Sequence, residues 1–192
     1  MIADFDKAND TLFKCVQNAS LEVLKSESKL PSFEISHDNA PDEKALRYYE
    51  EISCILLISQ DFKLIFKTHY WLNDMTKIIN NIRPGLPHAS MEKKARDFAK
   101  ELCNIIAGRI KYQFVPLKCA LGQSLPINLD GFNQIFFSTD NSSLFTNSWA
   151  VSDGSINLCF STTVEYYNQD IVKKICQLLS ITPTKAPEVE LF

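Results

Sequence analysis

Residues 95–110 read ARDFAKELCNIIAGRI, and no other stretch of the chain restricts its fold as tightly. Ala95, Phe98, Leu102, Ile106 and Ile110 recur at spacings of three and four, which makes one side of a helix apolar and requires a sheet or another helix to cover it. At about 100° per residue, Asp97, Glu101, Asn104 and Gly108 fall within about 60° of one another on the opposite side. That stripe faces away from the core. Neither Asn nor Gly strengthens a helix interior, Gly costing about 1 kcal/mol relative to Ala, so both residues point to a role other than helix stability. The acid and the amide project from the surface, and Gly108 removes a side chain one turn beyond the amide so that another backbone can come close. The plainer alternative is a solvated face that carries these residues by chance.

A chain of 192 residues that is 45% hydrophobic and 11% aromatic can bury a sizeable core. A formal net charge of -3, with Lys and Arg scattered, gives no general attraction to phosphate backbones or anionic lipid, so neither nucleic acid nor a membrane is an expected partner. The six cysteines lie far apart without a C-x-x-C pair, which predicts reduced, buried thiols of a cytoplasmic protein. The start, MIADFDKAND, lacks the charged-then-apolar order of a signal peptide.

Phe5, Leu12, Phe13, Val16, Ala19, Val23 and Leu24 predict a helix over 4–25, followed by a short strand at 33–35 and a polar loop, HDNAPDEK. Residues 52–58 and 63–70 form an expected antiparallel hairpin, with a helix over 71–82 after it. Arg83-Pro84-Gly85-Leu86-Pro87 cannot continue a helix. The same plan then repeats. A helix at 90–112 precedes strands at 114–121, 132–137 and 144–151, a hairpin turn at Ser152-Asp153-Gly154-Ser155, a strand at 156–161 and a helix at 168–179. The expectation is one α+β domain over 1–182, an antiparallel-rich sheet packed against two long helices, with pseudo-repeat halves at 4–82 and 89–180 and a tail at 183–192.

Other chemistries have weak anchors. His37, His69 and His88 show no spacing that converges on a metal, so no metal site is expected. Cys103 lies between Glu101 and Asn104 in sequence but turns toward the core flank, as a packing residue does. With five Gly residues and no G-x-x-x-x-G-K or G-x-G-x-x-G, nucleotide binding has no anchor. Trp71 and the pairs Tyr48-Tyr49 and Tyr166-Tyr167 fit partly buried packing better than an aromatic contact surface.

The segment E-L-C-N-I-I-A-G at 101–108 resembles the signature helix of the CheX, CheC and FliY phosphatases, Glu-x-x-Asn-x-x-x-Gly, with an acidic residue four positions before the Glu, here Asp97. The similarity continues through the preceding hairpin and helix and through Ser124-Leu125-Pro126 before Gly131, and in order of elements covers most of residues 4–180. The resemblance implies a pseudo-two-fold CheX/CheC-like fold and removal of the phosphoryl group from the active-site aspartate of a phosphorylated CheY-like response regulator. CheC-like members carry a second copy of the motif on their first helix. Here Cys15-Val16-Gln17-Asn18 lacks the Glu and the Gly, so one active helix per chain is expected, closer to CheX, and a homodimer is carried over with it.

On that resemblance Asn104 orients the attacking water and Glu101 reaches a cationic group at the receiver's site, most simply its Lys. Asp97 and Gly108 then belong to the partner-binding surface. No cofactor is expected on this chain; Mg2+ is expected in the receiver, where with a Lys it meets the developing charge. Two other functions fit the same residues. One is a non-catalytic module that recognises a receiver or another signalling protein, and the other is a structural dimer or flagellar-switch component.

Overall fold

The computed structural model describes residues 2–36, 49–130 and 144–178. The chain folds into two layers, α+β. Its strands are β1 (Glu34–Ser36), β2 (Glu51–Ile58), β3 (Phe62–Tyr70), β4 (Gly122–Gln123), β5 (Ile127–Asp130), β6 (Leu144–Ser152) and β7 (Asn157–Tyr166). Helices α1 (Ile2–Ser28), α2 (Leu72–Ile82), α3 (His88–Phe114) and α4 (Gln169–Ile175) complete the fold. The sheet runs β1-β6-β7-β3-β2, with β4 and β5 both pairing with β2 at its far edge, every pairing antiparallel.

Period-two alternation sends Ser53, Ile55 and Leu57 of β2 and Leu64, Phe66 and Thr68 of β3 to one face, where all are buried. Phe160 and Val164 of β7 and Trp149 and Val151 of β6 continue that layer. Both 27-residue helices lie over it. For α3, Phe114 packs on Phe62 with ring centroids 5.1 Å apart; for α1, Phe5 stacks on Phe145 and Asn9 accepts a hydrogen bond from the Tyr166 hydroxyl at 2.9 Å. Leu102, Ile106 and Ile110 are buried, as the helical spacing requires.

The two hairpins are set by their turns. Ser59 Oγ accepts from the Asp61 and Phe62 amides at 3.1 Å each, closing β2 onto β3. Asp153 Oδ1 accepts from the Ser155 and Ile156 amides, while Gly154 takes φ +91, a conformation open to Gly at no steric cost. The N-terminus of α2 has no side-chain cap from its own Trp71; the Glu50 carboxylate, arriving from the start of the hairpin, accepts from Leu72 N at 3.0 Å.

One expected element is absent. Residues 114–121 are not a strand: α3 continues through Phe114, a 3-10 turn covers Val115–Leu117, and Lys118 ends it at φ +52. Phe114, Leu117 and Leu121 are buried at spacings of three and four, which continue the helical face, and Pro116 sits near the start of the turn, where its missing N–H costs nothing. In turn, β7 runs on to Tyr166, five residues past the expected end, because all of Phe62–Tyr70 pairs with it. The expected strand at 132–137, Gly131, the HDNAPDEK loop and the 183–192 tail lie outside the described residues.

Candidate functional site

Helix α3 carries the stripe on its outward side. Asp97, Glu101 and Gly108 are exposed and Asn104 is half-buried, while Leu102 and Cys103 between them are buried. A Cβ added at Gly108 meets nothing within 4 Å. Among the described residues no segment of this chain uses the clearance that Gly provides there.

The charges around the stripe are mostly paired within the chain. Asp97 meets Lys100 at 3.1 Å, Arg96 meets Glu51 at 2.7 Å and Glu92 at 3.8 Å, and Arg109 reaches back to Glu22 of α1 at 3.2 Å. The hydrogen bond that the Arg96 guanidinium donates to the Glu51 carboxylate holds the Arg96 pKa above its usual range. Glu51 is buried, but the Asp97–Lys100 pair lies at the surface and is worth about 0–1 kcal/mol, so it opens at little cost if a stronger cation arrives. Among the described residues Glu101 has no cationic partner.

The edge of the sheet beside the stripe is built around one extra residue. Gln123 lies opposite Leu57 and Ile127 opposite Cys54, so Ser124, Leu125 and Pro126 face only Ile55 and Leu56. Ser124 carries the bulge. Its amide donates to Leu56 O at 2.9 Å, and its hydroxyl replaces the missing carbonyl by accepting from Leu56 N at 3.0 Å. Pro126, without an N–H, is tolerated at this edge, and Leu125 stands 85% exposed at the apex.

The bulge changes which side chains look at the helix. Positions 123 and 128 differ by five and would point to opposite faces of a regular strand. The extra residue turns both toward α3. Asn128 Nδ2 donates to Arg96 O at 3.4 Å and its Oδ1 accepts from Ser53 Oγ. Two turns along, Gln123 Nε2 donates to Asn104 Oδ1 at 2.7 Å and to Asn104 O at 3.4 Å. Sequence periodicity missed Gln123 because the bulge breaks the period; the one local signal is Pro126, which marks an edge.

Cys103 and His69 fall to the core, whereas Trp71 and Tyr167 stay exposed. Cys103 is fully buried, its Sγ 3.3 Å from Thr68 Oγ1, and burial pushes its thiol up to about 12, which leaves a packing residue with no thiolate at neutral pH. His69 is buried with Nε2 2.8 Å from Ser161 Oγ, and desolvation pushes its imidazole down to about 3. It is neutral and away from the stripe. Among the described residues no three His, Cys, Asp or Glu side chains gather as a metal site, and no helix is long and apolar enough to cross a membrane.

A seven-stranded antiparallel sheet under two long helices is the CheX/CheC-like fold. Solved chemotaxis proteins share it across most of the chain. CheX from Vibrio vulnificus is 13% identical with a TM-score of 0.59, the match covering 80% of this chain and 99% of that one. A chain of the CheX-CheY-BeF3-Mg2+ complex from Borrelia burgdorferi is 11% identical with a TM-score of 0.63, covering 80% and 97%. FliY from Thermotoga maritima is 12% identical with a TM-score of 0.55, covering 94% and 97%. No family model and no curated protein matches the chain.

Proposed function

We propose that this protein hydrolyses the aspartyl phosphate of a phosphorylated CheY-like receiver domain, using Asn104 to orient the attacking water. The observation that carries this reading is the outward stripe itself: a carboxamide braced by the sheet edge and, one turn back, a carboxylate with no cation of its own among the described residues. The similar fold in a complex with CheY, BeF3 and Mg2+ supports a receiver as the partner.

Hydrolysis needs a water opposite the bond from phosphorus to the aspartyl oxygen. That bond breaks as the new P–O bond forms, inorganic phosphate leaves and the aspartate is regenerated. An amide is too weak a base to take the proton, so its contribution is direction. One lone pair of Asn104 Oδ1 is held by Gln123, and the second is left to accept from the water. The Mg2+ that a receiver carries supplies positive charge to the phosphoryl oxygens. Glu101 pairs with a cationic side chain at the edge of that site and sets the register of the amide. Asp97 widens the acidic surface once it leaves Lys100. Gly108 admits the partner's backbone.

Phosphate release from receivers phosphorylated with acetyl phosphate tests this reading. The natural protein is expected to accelerate release from at least one receiver, and Glu101→Ala to weaken binding about tenfold, as loss of one interfacial charge pair does. Binding without faster release identifies a docking module on the same scaffold. Equal binding and turnover in Glu101→Ala refute the role given to the carboxylate.

A further inference from the structure

The structure assigns Gln123 as the positioning residue that fixes which way the Asn104 carboxamide faces; this inference rests on the role proposed above for Asn104. The two ends of a carboxamide have the same shape and opposite hydrogen-bonding character, so an unbraced Asn side chain on a helix turns over freely. Here a third atom settles the orientation. The backbone oxygen of Asn104 can only accept, and Gln123 approaches it at 3.4 Å, which requires the Gln NH2 group on that side. The same NH2 group lies 2.7 Å from the Asn104 carboxamide, so the Asn atom it meets must be the oxygen. Because the reference is a main-chain carbonyl, the pair cannot flip together without setting the Gln123 carbonyl oxygen against the Asn104 main-chain oxygen, two acceptors with no proton between them.

The chain builds this contact on purpose-shaped backbone. Without the extra residue at 124–126, Gln123 and Asn128 could not both face α3, and Ser124 ties the bulge to both polar groups of Leu56. Asn128 braces the helix backbone two turns earlier at Arg96, and its side-chain oxygen is taken by Ser53 rather than by the stripe. It therefore separates support of the helix from orientation of the amide.

The test combines a structural readout with kinetics. In natural protein labelled with 15N, the Asn104 side-chain amide signals, identified by their loss in Asn104→Ala, are expected to move in Gln123→Ala and to stay within the spread of distant signals in Asn128→Ala. On a receiver phosphorylated with acetyl phosphate, Gln123→Ala is expected to lower kcat about tenfold with KM for the receiver nearly unchanged, the size of one net hydrogen bond. Gln123→Glu supplies the readout that a merely structural role would not move. The ionised carboxylate cannot donate to Oδ1 and instead accepts from the Asn amide, turning it over, whereas the protonated carboxyl donates as Gln does. Turnover of Gln123→Glu relative to the natural protein should therefore rise as pH falls. Unmoved Asn104 signals in Gln123→Ala, or a Gln123→Glu to natural ratio flat with pH while Asn104→Ala is strongly impaired, overturn the assignment of Gln123. An Asn104→Ala variant as active as the natural protein instead overturns the catalytic reading, and the amide signals still decide the brace.

Discussion

Asn104→Ala is expected to lower the rate of phosphate release from a bound, phosphorylated receiver by about 10²-fold, the scale lost when a reacting group is misplaced by about an ångström. Binding should stay nearly unchanged, because Asn104 is half-buried and Glu101, one turn away, supplies the charge. The fold should survive too. The side chain lies on the outward face of α3, its hydrogen bond is with Gln123 at the sheet edge, and Ala raises helix propensity at that position. Single-turnover release separates the two quantities, and chemical denaturation confirms that the variant is as stable as its parent. A variant equally impaired in binding and turnover would mean that the amide docks the helix and does no more.

The second large effect belongs to the core. Phe66→Ala is expected to cost about 3–5 kcal/mol of unfolding free energy, as truncation of a buried aromatic does. Phe66 is fully buried in the middle of β3, its ring 5.5 Å from Phe160 and 6.4 Å from Trp149, at the layer where the sheet meets the helices. A void there is walled by two rigid rings and a fully paired strand, so the surroundings have little room to collapse into it. Urea unfolding followed by Trp149 fluorescence reads the loss. A change under about 1 kcal/mol would show that this layer is packed loosely enough to refill.

The two effects separate because Asn104 lies on the outward face of α3 and Phe66 in the buried layer of the sheet beneath the helices, and both faces of α3 were legible from the sequence. The apolar spacing from Ala95 to Ile110 extends over four turns, and so long a period leaves one way to place the helix. The β2–β3 hairpin was equally plain, since Ile52–Ile58 and Lys63–Tyr70 are β-branched and aromatic runs on either side of a Ser-led turn. Where the pattern is short, it misled. Phe114, Val115, Leu117 and Leu121 look like a strand by composition, yet their buried members follow helical spacing, and the chain spends them on the end of α3. The β4–β5 edge left almost no trace. Its two pairing segments are two and four residues long, and the bulge between them puts Gln123 and Asn128 on one face at a separation that no regular strand allows. Thus Glu101 and Asn104 could be named from a helical wheel, whereas the residue that touches Asn104 depends on a contact between elements that only the folded chain brings together.

The most direct test of the central claim is a crystal structure of this protein bound to a receiver loaded with BeF3 and Mg2+. The account predicts that the stripe from Asp97 to Gly108 lies in the interface, with Glu101 on a receiver cation and Asn104 Oδ1 within about one water of the beryllium on the side opposite the aspartate, a spacing set by hydrogen-bond reach. A complex held through another surface, with Asn104 facing solvent, would contradict it.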